Sequence, residues 1–311
     1  MIQGTHNALD DPRNETVKIF INGELIARKD AKISVFDSGY LVGDGVWEAL
    51  RLYNGVLVFL DLHLKRLWQT AISAHIHLPF SKEELTNHIW DTIQCNQMLD
   101  DVHVRVMITR GIKKTPSQDP RLTINGPNIV IIAEHKKASP QTKQKGITLF
   151  TSTIRRGSPD YLDPRLNCHS KLHEVQALIQ AIEAGADEAL MLDIHGFVST
   201  CNATNFFIIK DDEVWTSTGQ YCMNGITRGK IISICENKKI SCKQKNFSLF
   251  DVYAADEAFV TGSFGGITPV IKIDGRIIGK GKFGKISRKL NHLYEQLIEQ
   301  EITQKKANAR G

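Results

Sequence analysis

The sequence predicts a two-domain protein of mixed α/β or α+β class, and three observations carry that expectation. Two apolar runs break at Asn22-Gly23 and Asn54-Gly55, the dipeptide that suits the tight turn of a β-hairpin. Residues 61–76 and 82–97 place their apolar side chains at helical spacing. Between the two halves, residues 135–146 (HKKASPQTKQKG) are polar and contain a proline, as an inter-domain linker would. A chain of 311 residues is also too long for one small core.

Residues 1–16 lack periodicity and are expected to be a flexible tail. Residues 17–22 alternate apolar and polar positions before the first Asn-Gly turn. Residues 46–53 and 56–60 form the second hairpin, and the helix that follows aligns Leu62, Leu64, Leu67, Ala71 and Ile72. After the helix over 82–97, strands are expected over 102–109 and 128–134, which closes a small α/β domain at residues 17–134. The larger domain, 147–302, begins with a strand at 147–153 and a helix over about 169–184. Several strands between 188 and 215, a helix from Ile226, a strand near 257–261, a strand pair and a last helix over about 283–301 complete it. Residues 303–311 read as a tail. Strands outnumber helices, and neither a regular βαβ alternation nor an internal repeat is present.

Composition narrows the function classes. The net charge of +5 is scattered, and the densest basic clusters, around Lys136-Lys137 and Lys238-Lys239, read as solvated surface rather than a nucleic-acid track. A small anionic ligand suits that balance better. The six cysteines form no CxxC pair or zinc spacing, and the eleven histidines are dispersed, so no metal is expected. No apolar run approaches the ~18 residues of a membrane span. The polar start lacks a signal core, so the expected compartment is the cytoplasm, with free thiols.

Four segments, in order along the chain, resemble the class IV (fold-type IV) pyridoxal-phosphate aminotransferases, the family of branched-chain and D-amino-acid aminotransferases. They are residues 35–51 (VFDSGYLVGDGVWEALR) with the following helix that carries His63 and Arg66, 196–209 (GFVSTCNATNFFII), 222–228 (CMNGITR) and 261–270 (TGSFGGITPV). Four motifs in register are far more specific than one glycine-rich loop. The resemblance spans most of residues 17–300. It implies a small α/β domain beside a larger pseudo-barrel domain, pyridoxal 5'-phosphate as cofactor, and a homodimer.

The resemblance also implies site residues. Gly225, Ile226 and Thr227 precede an apolar helix, where backbone N–H groups and the helix dipole favour an anion. They are expected to hold the cofactor phosphate, with Arg66 supplying charge and Ser263 a hydroxyl. Tyr40 matches a pocket-lining position. Arg105, in His103-Val104-Arg105, resembles a Tyr-x-Arg motif that receives a carboxylate, although the tyrosine is absent. Arg121 resembles the loop arginine that binds carboxylate in D-amino-acid enzymes. A guanidinium fork suits both oxygens of a carboxylate.

Two positions depart from the family. Its lysine forms the Schiff base with the cofactor, and counting back from Gly185-Ala186-Asp187-Glu188-Ala189 without a gap puts that position at Asn167. Either a short gap makes Lys171 the family lysine, or the lysine is absent. Lys171, Val175, Leu178 and Ile182 share one helical stripe, which is expected to turn Lys171 inward, where burial favours a neutral nucleophilic amine. Thr200 stands where relatives place the glutamate that pairs with the pyridine nitrogen, so a neutral hydrogen bond replaces an ion pair there. The leading expectation is an aminotransferase acting between a small amino acid and a 2-oxo acid, with Lys171 catalytic. The alternatives are a lyase of the aminodeoxychorismate type, and a family descendant that no longer bonds the cofactor to a lysine.

Overall fold

The computed structural model describes residues 4, 5, 8 and 10–308. The chain divides into two compact units, a smaller one built on residues 10–137 with Leu166–Lys171, and a larger one built on Ala138–Arg165 and Leu172–Gln300.

The smaller unit holds strands β1 (Lys18–Ile21), β2 (Glu24–Ala27), β3 (Gly45–Tyr53), β4 (Val56–Val58), β5 (Val102–Thr109) and β6 (Asn128–His135). They form one antiparallel sheet in the order β2-β1-β6-β5-β3-β4. Both Asn-Gly pairs make the expected turns, with φ values of 51° and 101° at Asn22-Gly23 and 48° and 76° at Asn54-Gly55. Helix α1 (Ser38–Val42) leads into β3, while α2 (Leu60–Ser73) and α3 (Lys82–Cys95) cover one face of the sheet. Leu64, Leu67 and Ala71 of α2 and Leu85, Ile89 and Ile93 of α3 bury against Val46, Leu50, Val104, Val106 and Ile108. A capping box at Ser81 and Glu84 starts α3. The opposite face carries Gly45, Trp47 and Ala49 of β3 beside Arg105 and Met107 of β5, because strand side chains alternate.

The larger unit contains β7 (Ile147–Thr151), β8 (Glu188–Leu192), β9 (Val198–Cys201), β10 (Asn205–Lys210), β11 (Glu213–Thr216), β12 (Cys242–Gln244), β13 (Glu257–Gly262), β14 (Gly266–Ile273) and β15 (Arg276–Ile277). Its mixed sheet runs β12-β11-β10-β13-β14-β7-β8-β9, with β15 on β14. The turn after β9 brings that end strand back beside β10, where the Thr200 hydroxyl donates to the Thr204 carbonyl. The sheet thereby curls into the pseudo-barrel the resemblance implies. Helices α4 (Pro140–Lys145), α5 (Pro159–Leu162), α6 (Leu172–Glu183), α7 (Ile226–Asn237), α8 (Leu249–Tyr253) and α9 (Lys285–Asn308) complete the chain.

Several details differ from the sequence expectations. Of the tail expected over residues 1–16, Pro12–Thr16 form a 3-10 turn, and Thr5 is buried with its backbone N–H donating to Glu188. Residues 1–3, 6, 7 and 9 lie outside the described residues. Within the expected linker, β6 continues through His135 and α4 starts at Pro140, where proline suits the first helical turn. Helix α9 extends to Asn308, into the expected terminal tail.

The largest correction concerns α6. It begins at Leu172, so Lys171 precedes it, and the expected inward stripe is not the buried one. Val175 and Ile182 are 51% and 46% exposed. The buried positions are Glu174, Ala177 and Ala181. Two stripes of α6 are apolar, and periodicity alone does not choose between them. Glu174 decides it: its carboxylate accepts a 2.7 Å bond from buried Arg156, whose guanidinium also donates to the Pro164 carbonyl. A buried arginine needs such a counter-charge, and the alanines let the helix sit close.

Candidate active site

In the smaller unit, β3 presents a carboxylate in its buried phase. Glu48 is 2% exposed, and α2 answers it with two side chains one turn apart. Arg66 grips both oxygens, Nε to Oε1 at 2.6 Å and a terminal nitrogen to Oε2 at 2.8 Å. His63 Nδ1 lies 2.7 Å from Oε2. Burial alone would raise the Glu48 pKa, but the Arg66 charge and the bonds from Arg66 and His63 hold it at about 2. Burial pushes His63 down, so it serves Glu48 as a neutral donor. Glu48 therefore fixes the direction of the Arg66 guanidinium. Charged residues in the core phase of a strand are a readable signal, and sequence reasoning missed this one.

On the other face, Arg105 stacks over the Trp47 ring at 4.2 Å. Burial lowers its pKa, and the Glu134 carboxylate, which acts on it electrostatically, forms its ion pair with Arg28 instead. Arg105 is thus a half-buried cation without a carboxylate ion pair among the described residues. Arg121 is different. It lies on an exposed 3-10 turn and chelates its neighbour Asp119 at 2.6 Å, with 87% of its side chain exposed. Tyr40 stands on α1, also largely exposed.

Residues 169 and 170, expected to open a helix, instead run with 167 and 168 along the start of β3. Trp47 N–H donates to the Asn167 carbonyl at 3.0 Å, and His169 N–H to the Gly45 carbonyl at 2.9 Å. Asn167 is buried, with Nδ2 donating to the Trp47 carbonyl at 2.6 Å. Lys171 ends this segment, partly exposed, and belongs to the smaller unit.

The larger unit gathers the other motifs around Asn205. Its Nδ2 donates to the Met223 carbonyl at 2.9 Å and to Thr200 Oγ1 at 3.3 Å. A Cβ on Gly225 would stand 2.2 Å from Asn205 Oδ1, so only glycine fits there. Gly225 is the N-cap of α7 and offers no side-chain cap to its first turn. Thr227 is buried in that turn, 3.3 Å from the Tyr294 hydroxyl. Across the strand pair, Thr261 lies directly opposite Asn205, so the two share a face. The Thr261 hydroxyl is buried and has no hydrogen-bond partner among the described residues, which suits a polar ligand atom. Ser263 follows two residues later, partly exposed.

Helix start, glycine cradle and orphan hydroxyl together suit an anion with several oxygens. Thr200 is buried, donates to the Thr204 carbonyl at 2.8 Å and accepts from Asn205. Glu188 sits one step behind, accepting from the Thr204 hydroxyl at 2.8 Å. Position 200 itself offers only a hydroxyl.

Comparison with known proteins identifies the scaffold. The model of the family described as amino-transferase class IV matches residues 45–273. A putative branched-chain-amino-acid aminotransferase of Methanocaldococcus jannaschii is 38% identical over 90% of this chain and 96% of its own. Branched-chain-amino-acid aminotransferase-like protein 2 of Arabidopsis thaliana is 37% identical over 94% of this chain, which spans only 52% of that relative. Among solved structures, a T.th. branched-chain amino acid aminotransferase with pyridoxamine 5'-phosphate superposes with a TM-score of 0.85 at 27% identity, covering 91% of this chain and 94% of that one. The chain belongs to the class IV aminotransferase family.

Proposed function

We propose that the protein is a pyridoxal-phosphate-dependent aminotransferase that moves an amino group between a small amino acid and a 2-oxo acid. The observation that carries this reading is the anion-suited cradle of Gly225, Thr227 and the orphan Thr261 hydroxyl on a class IV scaffold. Gly225, Ile226, Thr227 and Ser263 would hold the cofactor phosphate, with Arg66 held in direction by Glu48. The cofactor, when bound, supplies the electron sink that loosens bonds at the amino acid α-carbon. Arg105 would receive the substrate carboxylate, since its charge lacks an ion pair among the described residues and its planar face is already fixed on Trp47. Arg121, saturated by Asp119, serves that role only if the pair opens. Tyr40 would line the substrate pocket, and Lys171 would be the amine that carries the cofactor and moves the proton.

A second reading keeps the fold without the covalent bond to lysine. It is favoured by Asn167, buried and bonded to the β3 backbone at the ungapped lysine position, together with Thr200. One experiment separates the two. Purified protein is mixed with pyridoxal phosphate, its visible spectrum recorded, and the mixture reduced with borohydride and peptide-mapped. The first reading expects a visible band and a pyridoxyl adduct on Lys171. No adduct on any lysine would leave a phosphate-ligand protein on the same fold.

We also infer a homodimer. Leu172, Val175, Ile179 and Ile182 make an exposed apolar stripe along α6, and in the smaller unit the segment before β3 exposes Ile33, Val35, Phe36 and Tyr40. Clustered apolar surface of this kind marks an interface. Sedimentation should give twice the chain mass, and Ile179→Lys should shift it toward the monomer. A monomeric wild type would overturn the inference.

A further inference from the structure

His169 is a partly exposed histidine with a buried Nε2, and neither the motifs nor the proposed reaction uses it. Its imidazole is packed against two glycines. A Cβ on Gly45 would stand 2.7 Å from its Nδ1 and 2.8 Å from its Cε1, and one on Gly39 3.1 Å from Nδ1. The chain thus leaves room for this ring at two positions of the first motif. Gly45 and Trp47 point to the same face of β3 because strand side chains alternate. The imidazole therefore lies on the face that carries Trp47 and Arg105. Along the strand, Gly45 and Trp47 are about 7 Å apart, at the usual rise of ~3.3 Å per residue.

The ring is incompletely satisfied. Nε2 is buried and has no hydrogen-bond partner among the described residues. Burial lowers its proton affinity. A neutral imidazole offers one nitrogen as an acceptor, and Nε2 is the nitrogen left without a partner among the described residues. The charges that act on the ring are Asp37 and Asp44, which favour its cation, and Arg105, which opposes it. Asp37 is itself occupied by Gly39 N–H, Thr109 and Asn128. A buried, unmet polar atom calls for a partner.

We propose that His169 is a substrate-contacting residue, its Nε2 accepting a hydrogen bond from the amino group of an incoming amino acid while Arg105 on the same face takes the carboxylate. The assignment rests on the aminotransferase reading above. It gives the pocket one contact that an amino acid makes and its deaminated analogue lacks. A fixed acceptor for the amine beside a fixed donor for the carboxylate selects α-amino acids over simple carboxylates.

The test uses the full chain without added cofactor and compares leucine, as both enantiomers, with 4-methylpentanoate, which is leucine without its amine. Binding is read by calorimetry, and His169 is followed by 15N NMR of its ring nitrogens. The expected result is that one leucine enantiomer, and not 4-methylpentanoate, moves the Nε2 resonance. His169→Phe should weaken leucine binding about tenfold, the worth of one such hydrogen bond, and leave 4-methylpentanoate unchanged. Arg105→Met should weaken both. Leucine that binds without moving Nε2, or equal leucine affinity in His169→Phe, overturns the role of His169 alone. Absence of binding by either probe overturns it together with the substrate reading. The NMR readout on the unsubstituted protein holds even if the phenylalanine variant folds poorly.

Discussion

Replacing Glu48 with alanine is expected to destabilise the smaller unit by about 3–5 kcal/mol, the usual cost of stripping a buried charge of its partner. The residue left behind is Arg66, only 16% exposed at its side chain, and His63 loses its acceptor at the same time. Urea unfolding followed by the tryptophans of this unit, Trp47, Trp68 and Trp90, would read the loss. The pH dependence has a defined sign. The folded Glu48 carboxyl titrates at about 2 against an ordinary value of 4.5. A depressed carboxyl contributes its stability fully above pH 4.5 and loses it as the pH falls toward 2. That gap of roughly 2.5 units corresponds to about 3 kcal/mol. His63 acts in the same direction, because burial resists its protonation as the pH drops below 6.5. Glu48→Gln should flatten the acid limb between pH 4.5 and 2. An unchanged limb in that variant would show that the carboxylate does not hold the charge network.

The functional consequence of the same variant lies in direction rather than charge. Arg66 remains cationic without Glu48, but its fork is no longer locked by two bonds of 2.6 and 2.8 Å. With Arg66 in the role proposed for it at the cofactor phosphate, inorganic phosphate or pyridoxal phosphate should then bind more weakly even where the protein stays folded.

What could be read from the sequence followed the range of the interactions. The Asn-Gly turns were legible because left-handed φ values at two successive residues demand those residue types. The helices α2 and α3 were legible because most of their apolar positions share one buried face, although Leu62 and Ile72, counted into that face of α2, are exposed. Helix α6 was not, since Leu172, Val175, Ile179 and Ile182 make a stripe as apolar as the buried one, and the choice was made by Arg156, which lies outside the helix. Residues 167–170 read as the approach to a helix because nothing local announces a pairing with β3, whose partner edge lies some hundred and twenty positions earlier. The site divides in the same way. Motif residues such as Gly225 and Arg66 carry a resemblance, whereas Glu48, Asn205, Thr261 and His169 acquire meaning only from neighbours the fold brings in.

Thr200→Glu should produce the largest effect that depends on the cofactor. The threonine side chain is buried, donating to the Thr204 carbonyl and accepting from Asn205. A carboxylate there would face the Thr204 carbonyl oxygen, and a buried charge without an opposite one costs about 3–5 kcal/mol or forces the acid to stay protonated. The cofactor-free variant should therefore unfold at a distinctly lower temperature than the wild type. The resemblance puts the pyridine nitrogen of pyridoxal phosphate at this position, and a protonated ring nitrogen would give the new carboxylate a charge-assisted partner. Such a bond is worth about 1.5–3 kcal/mol, equivalent to roughly ten- to a hundredfold tighter binding. Thermal unfolding with and without pyridoxal phosphate, run on wild type, Thr200→Glu and Thr200→Gln, separates charge from size. Stabilisation by the cofactor should be largest in the glutamate variant, because the same carboxylate that destabilises the empty pocket is neutralised in the filled one. Equal stabilisation of all three proteins would mean that no cationic ring nitrogen meets residue 200, and that the pocket receives its phosphate-bearing ligand in another orientation.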